Sequence, residues 1–217
     1  MTYKSFFKWA VVLFSALSMN LFCSCGDDED DAMDNPDNPA VKPSTAQRHT
    51  LSRKTGYGND WIYFSFAEGK ELQDINEDNR GQNLKWDIAF NRYNVRTNSG
   101  ESGQGKGGAL DTKSTDFAAV TSVPAGDFTV DVMGSITENL NSFPPPSINS
   151  PLNMLLGDAI EFAGPPPTYT PNNHIYIVRT ADGKYAKIQI ESFYDDEGNS
   201  GFVTFNYVYQ PNGSKNF

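Results

Sequence analysis

The sequence runs to 217 residues, 38 % hydrophobic and 13 % aromatic, enough for one core of ordinary size once a leader is set aside. A net charge of −10 excludes a sequence-independent grip on nucleic acid and any attraction to an anionic membrane, so membrane attachment has to be covalent or hydrophobic. Both cysteines, Cys23 and Cys25, lie near the start, so the rest of the chain offers no disulfide framework, thiolate metal site or cysteine nucleophile.

Lys4 and Lys8 make the first residues positive, and Trp9 to Phe22 is mostly apolar. That stretch is short for a membrane span, which takes about 20 residues, and suits the apolar centre of a signal peptide. It ends in Phe22-Cys23-Ser24-Cys25. Lipoprotein signal peptidase needs a small residue before its cysteine, which Ser24 supplies and the bulky Phe22 does not. Residues 1–25 therefore read as a lipoprotein signal ending at Cys25, whose sulfur and amine carry acyl chains. The plainer alternatives are an ordinary secretory leader or a signal anchor. The acidic run Asp27 to Asp31 resembles the surface-export signal of lipoproteins from Gram-negative anaerobes; otherwise it is a solvated, self-repelling spacer. Residues 26–45 read as a disordered acidic tether stiffened by proline, and 46–217 as one domain.

In the domain the apolar period is mainly two, which predicts strands. Asp60 to Phe66 is dense in aromatic and β-branched residues. Trp86 to Tyr93 alternates, placing Trp86, Ile88, Phe90 and Arg92 on one predicted face. Phe128 to Met133 is a further candidate. His174 to Thr180 and Tyr185 to Phe193 flank Asp182-Gly183, the best hairpin signal in the chain. Phe202 to Tyr209 alternates again. Between the triplets Pro144–Pro146 and Pro165–Pro167, the stretch Ser147 to Gly164 reads as an irregular lobe, with one turn of helix or a short strand at Leu152 to Leu156. The expected fold is all-β, mainly antiparallel, with this lobe projecting as the ligand-binding part.

Few residues look chemical. Gly100 to Gly108 superficially suggests a phosphate loop, but Lys106 is followed by Gly107 and Gly108 rather than Ser or Thr and a helix, so it reads as a glycine-rich connection. His49 and His174 are isolated histidines with no metal-binding spacing. Neither accompanies a nucleophile motif, and no carboxylate pair stands out. Within the domain the only methionines are Met133 and Met154. Met133 sits in a strand-like run and reads as core, whereas Met154 falls in the lobe.

Several blocks carry a resemblance: Trp61 to Phe66; Trp86-Asp87-Ile88-Ala89-Phe90 with Arg92-Tyr93; Val95 to Gly103; Gly105 to Ala109; Thr129 to Val132; Pro167-Thr168-Tyr169; and Val178 to Gly183 with Ala186-Lys187. In this order they resemble the HmuY family of haem-binding lipoproteins over nearly the whole domain. The resemblance implies an all-β fold gripping one haem, no catalysis, haem scavenging for iron transport at the outer face of the outer membrane, and delivery to a TonB-dependent receptor. Family members hold haem through two histidines or two methionines. Here neither histidine position is filled: Asn139 to Pro151 contains none, and Glu161-Phe162 is followed by Ala163-Gly164. With a haem bound, the soft or imidazole donors available are His49, His174, Met133 and Met154. Elimination favours Met154, in the lobe where the family holds its haem, with Met133 second. Another tetrapyrrole, or a glycan held on exposed aromatics, is the competing expectation.

Overall fold

The computed structural model describes residues 45–217. The expected signal peptide, the expected lipidation site Cys25 and all but the last residue of the expected tether lie outside the described residues. The described chain is nearly all β. Its strands are β1 (Gln47–Thr50), β2 (Ile62–Ser65), β3 (Lys70–Leu72), β4 (Ile88–Asn91), β5 (Asn94–Thr97), β6 (Gly108–Asp111), β7 (Val132–Thr137), β8 (Ser147–Leu152), β9 (Ile160–Ala163), β10 (Thr168–Pro171), β11 (Ile175–Arg179), β12 (Tyr185–Tyr194) and β13 (Ser200–Gln210). A single helical turn, α1 (Met154–Gly157), links β8 to β9.

Two antiparallel sheets face each other. One has the order β1-β13-β12-β11-β6, the other β3-β2-β4-β5. Their inner faces share one core, with Phe64, Ile88 and Phe90 on one side and Val178, Ile188, Val203 and Phe205 on the other. Phe205 locks the layers, lying edge-on to Phe64 at 5.3 Å and stacked on Phe90 at 5.5 Å. The outer faces are covered too. Ile136 and Leu152 of the β7–β8 hairpin close over Trp61, Tyr63, Trp86 and Ala89. Val120 and Phe117, on the connection from β6 to β7, close over Leu110, Ile175 and Ile177.

The predicted β11–β12 hairpin forms around Gly183 at φ 90°, a backbone that suits glycine. The glycine-rich stretch is structural, as expected of a connection. A Cβ at Gly103, Gly105 or Gly107 would run into Asn98, around which the loop wraps.

Three expectations need correction. Trp86 to Tyr93 is not one strand. Trp86 belongs to the outer cluster while Ile88 and Phe90 belong to the inner one, and Arg92 lies in a turn. The alternation fails at Asp87, whose carboxylate accepts the backbone N–H groups of Phe66 (2.9 Å) and Ala181 (3.0 Å). Phe128 to Met133 is not one strand: Phe128 to Asp131 makes only the bridge Thr129–Ala109, and β7 begins at Val132, because Asp131 turns into a buried polar network. Ser147 to Gly164 is not irregular: it contains β8, α1 and β9. β7–β8 and β9–β10 are separate two-stranded ribbons with the proline triplets in their loops. Every strand of such a ribbon is an edge strand, so Pro151 and Pro171 can be accommodated within them.

Candidate ligand-binding crevice

The turn Arg92-Tyr93 between β4 and β5 forms the floor of a crevice between the two ribbons. Asparagines fix it. Asn91 donates to the carbonyls of Gly58 (2.8 Å) and Asp60 (3.1 Å), and Asn94 donates to the carbonyl of Asn91 (3.1 Å). Arg92 has φ 52°, unusual for a residue with a side chain. On its side of the turn lies a cleft of about 770 Å³, bounded by Leu140 of the β7–β8 loop, Pro167 of the β9–β10 loop, Lys54 and Tyr57. On the other side, Tyr93 and Asn94 border a cavity of about 180 Å³ with Ser135 and Met154. Only the larger space matches the volume of a typical small-molecule site.

Large apolar side chains stand exposed on the two ribbons, and one of them, Leu140, lines the cleft. Phe143, at the tip of the β7–β8 loop, is 96 % exposed, Leu140 61 % and Phe162 54 %. Phe162 stacks on Tyr93 at 6.1 Å and packs against Tyr169 at 5.3 Å. The cleft's charge runs against that of the chain. It presents Lys54 and Arg92 and no acidic lining residue, although Asp and Glu outnumber Lys and Arg 27 to 17. Arg92 donates to the Tyr169 hydroxyl (2.5 Å), and its guanidinium lies 4.4 Å from the centre of the Tyr57 ring. Burial raises the pKa of the Tyr57 hydroxyl, with Arg92 pulling the other way.

Below the crevice, polar groups lock the foot of the β7–β8 ribbon. Arg96, fully buried, pairs with Glu77 and donates to the Pro151 carbonyl (2.8 Å) and Ser150 Oγ (2.6 Å), with the Trp61 ring 3.7 Å from its guanidinium carbon. Asp131 accepts from the Thr97 N–H and hydroxyl, the Ser102 hydroxyl and Asn153 Nδ2. Burial raises the Asp131 pKa against the pull of these donors. Asn153 also caps α1, accepting from the Leu156 N–H at 3.2 Å. Met154 therefore starts from a fixed backbone.

Both sequence-selected methionines are exposed, Met154 by 55 % and Met133 by 53 %. Met133 was expected in the core; it is instead exposed, as is its neighbour Val132, because on β7 only Ile136 is buried and fills the cluster beneath. Register sets Met133 opposite Pro151, three residues before Met154, so both thioethers stand near the same end of the ribbon. The histidines are engaged elsewhere: His49 with Glu71 (3.2 Å) and Phe64, His174 with Asp111 (3.0 Å). Sequence reasoning did not single out Lys54, Tyr57, Leu140 or Phe143, and it placed Arg92 on a strand face. The Arg92-Tyr93 pair was visible only as part of a family block.

The model of the HmuY protein family matches residues 58–207. This chain belongs to the HmuY family. Its fold is similar to that of an HmuY-like heme-binding protein from Bacteroides vulgatus ATCC 8482, with 27 % identity and a TM-score of 0.63, over 76 % of this chain and 91 % of the other. It is similar too to the apo HmuY analogue of Tannerella forsythia, with 26 % identity and a TM-score of 0.64, over 80 % of this chain and all of that one. A lipoprotein of Bacteroides fragilis shares the fold at 24 % identity and a TM-score of 0.60, over 80 % of this chain and 94 % of its own. No match was found among curated proteins.

Proposed function

We propose that this chain binds haem as cargo in the crevice, anchored by a lipid on Cys25 to the outer membrane and facing outward, and passes the haem to a TonB-dependent receptor. Membership of the HmuY family carries this reading, and the heme-binding relative from Bacteroides vulgatus supports it. The crevice fits such a cargo: a cleft of about 770 Å³ with Leu140, Pro167 and Tyr169 among its lining residues and two cations. Met154 is the first choice for an axial ligand and Met133 the second. The Asn153 cap fixes the backbone of Met154 before any ligand arrives, which reduces the ordering cost of binding. A neutral thioether favours ferrous over ferric iron, so affinity rises under reduction.

Titration with haemin, oxidised and then reduced with dithionite, tests the reading. A saturable Soret shift is expected, with tighter binding in the reduced state. No shift in either state overturns it. Anchoring and display are tested separately: Cys25→Ala should abolish partition into detergent, and protease added to intact cells should remove the domain. A second reading is an iron-free tetrapyrrole, favoured by the engagement of both histidines with carboxylates outside the crevice. Protoporphyrin IX binding more tightly than haemin in both redox states would select it.

A further inference from the structure

The β4–β5 turn holds an arginine where the backbone argues against one. At φ 52° this two-residue hairpin connection suits glycine or asparagine. The chain keeps instead a large cation, and buries it: Arg92 is 6 % exposed. Among the described residues no carboxylate lies within 4 Å of its guanidinium, and none pairs with Lys54. The contrast with Arg96, which has Glu77, shows that this domain can supply an acidic partner to a buried arginine. What surrounds Arg92 is a phenol oxygen and the faces of Tyr57, Tyr169 and Phe193. These aromatic faces hold the guanidinium in place and leave its charge uncancelled. A desolvated cation without a counter-ion, at the wall of a cleft free of acidic side chains, is arranged to receive an anion from outside. The cleft's apolar neighbours, Leu140 and Pro167, call for an apolar body attached to that anion.

We propose that Arg92, assisted by Lys54, is the carboxylate-recognition point of the crevice and orients the ligand by its acidic edge. This rests on the haem reading above, for which the acidic edge is the pair of propionates. The strained turn presents the guanidinium to the cleft before the ligand arrives, so little ordering remains to be done on binding. The layout also separates two tasks. One flank of the turn, with Arg92, reads the charged edge; the other, with Tyr93 and Met154, meets the flat body of the ligand.

Haemin and haemin dimethyl ester, in which two methyl groups cap the carboxylates and remove the charge of that edge, provide the test. The parent protein should bind haemin about tenfold or more tightly than the diester, the size of one good charge-assisted contact. Arg92→Gln should bring the ratio close to one, Arg92→Lys should retain part of it, and Lys54→Ala should lower it by a smaller factor. The ratio is taken within each variant, so a loss of folded protein affects both ligands alike and leaves it unchanged. Equal binding of the two by the parent, or an unchanged ratio in Arg92→Gln, overturns this inference and leaves the haem reading standing. Binding of neither compound overturns both.

Discussion

Two arginines four residues apart meet opposite fates. Arg96, on β5, is wholly buried, paired with Glu77 and stacked on Trp61, and it donates to Ser150 and Pro151 of the overlying ribbon. Arg92, in the preceding turn, is nearly as buried but sits in a left-handed backbone with no carboxylate partner among the described residues. The first has its charge and hydrogen-bonding capacity largely satisfied by the fold. The second is held in place but left electrostatically open. The same side chain thus fastens the ribbon at one site and faces the cleft at the other, and only the surroundings separate the roles.

The largest effect is expected from breaking the satisfied site. Arg96→Ala leaves Glu77 to Arg80 and the Tyr63 hydroxyl and frees the foot of the β7–β8 ribbon from its bonds to Ser150 and Pro151, at a cost of about 3–4 kcal/mol, toward the low end of the range for losing one partner of a buried pair. Urea denaturation gives this directly, and a loss under 1 kcal/mol would show that the ribbon is held mainly by its apolar contacts.

Asp87 extends the contrast to an acid. It is held by two backbone N–H groups, and burial pushes its carboxyl up to about 6. Because the folded state binds that proton more tightly than the unfolded state, stability falls as pH rises from about 4 to 6 and then levels off. The total is on the order of 3 kcal/mol. Asp131, also raised, acts in the same direction, whereas Glu71, Glu77 and Asp111 are lowered and lose their contribution below about pH 4.5. Urea midpoints should therefore decline between pH 4.5 and 6, and Asp87→Asn should flatten the decline. A midpoint that climbs through this window refutes the assignment.

Arg92→Gly should move stability the other way, by about 1 kcal/mol in favour of folding, because glycine relieves both the positive φ and the unpaired charge. If it destabilises, the stacking on Tyr57 outweighs the strain and the contrast with Arg96 weakens. The smallest stability effect, within about 0.5 kcal/mol, belongs to the double variant Met154→Ala, Met133→Ala, since both side chains are exposed. Its effect should instead be spectral, a displaced Soret band and weaker ferrous binding. An unchanged ferrous spectrum would exclude thioether ligation.

Much of the sandwich was legible because its signals are local. The alternation of β12 and β13 and the Asp182-Gly183 turn identify themselves without knowledge of the rest of the chain. The crevice was much less so. Asn91-Arg92-Tyr93 continues an alternating pattern, and nothing in those letters marks a left-handed turn. Asp131 looks like the polar member of an exposed strand, yet it is buried because Thr97, Ser102 and Asn153, distant in sequence, converge on it. The prolines of the lobe suggested irregular chain, and pattern alone does not show that both ribbons consist only of edges. Met154 and Met133 were selected by scarcity, which says which donors exist and nothing about where they point.

The pairing of β1 with β13 governs when this fold can be completed. Gln47 to Thr50 must find Thr204 to Tyr207, and β13 also forms the flank of β12. Until that strand arrives, β1 has no partner, one flank of β12 is bare, and Phe205 is missing from between the sheets. Closure must span nearly the whole domain, and contacts so far apart in sequence form slowly, on the millisecond-to-second scale of sandwiches. A chain that emerges from a pore with its first strand leading therefore stays open until almost its last residues are through, and then shuts in one late, cooperative step.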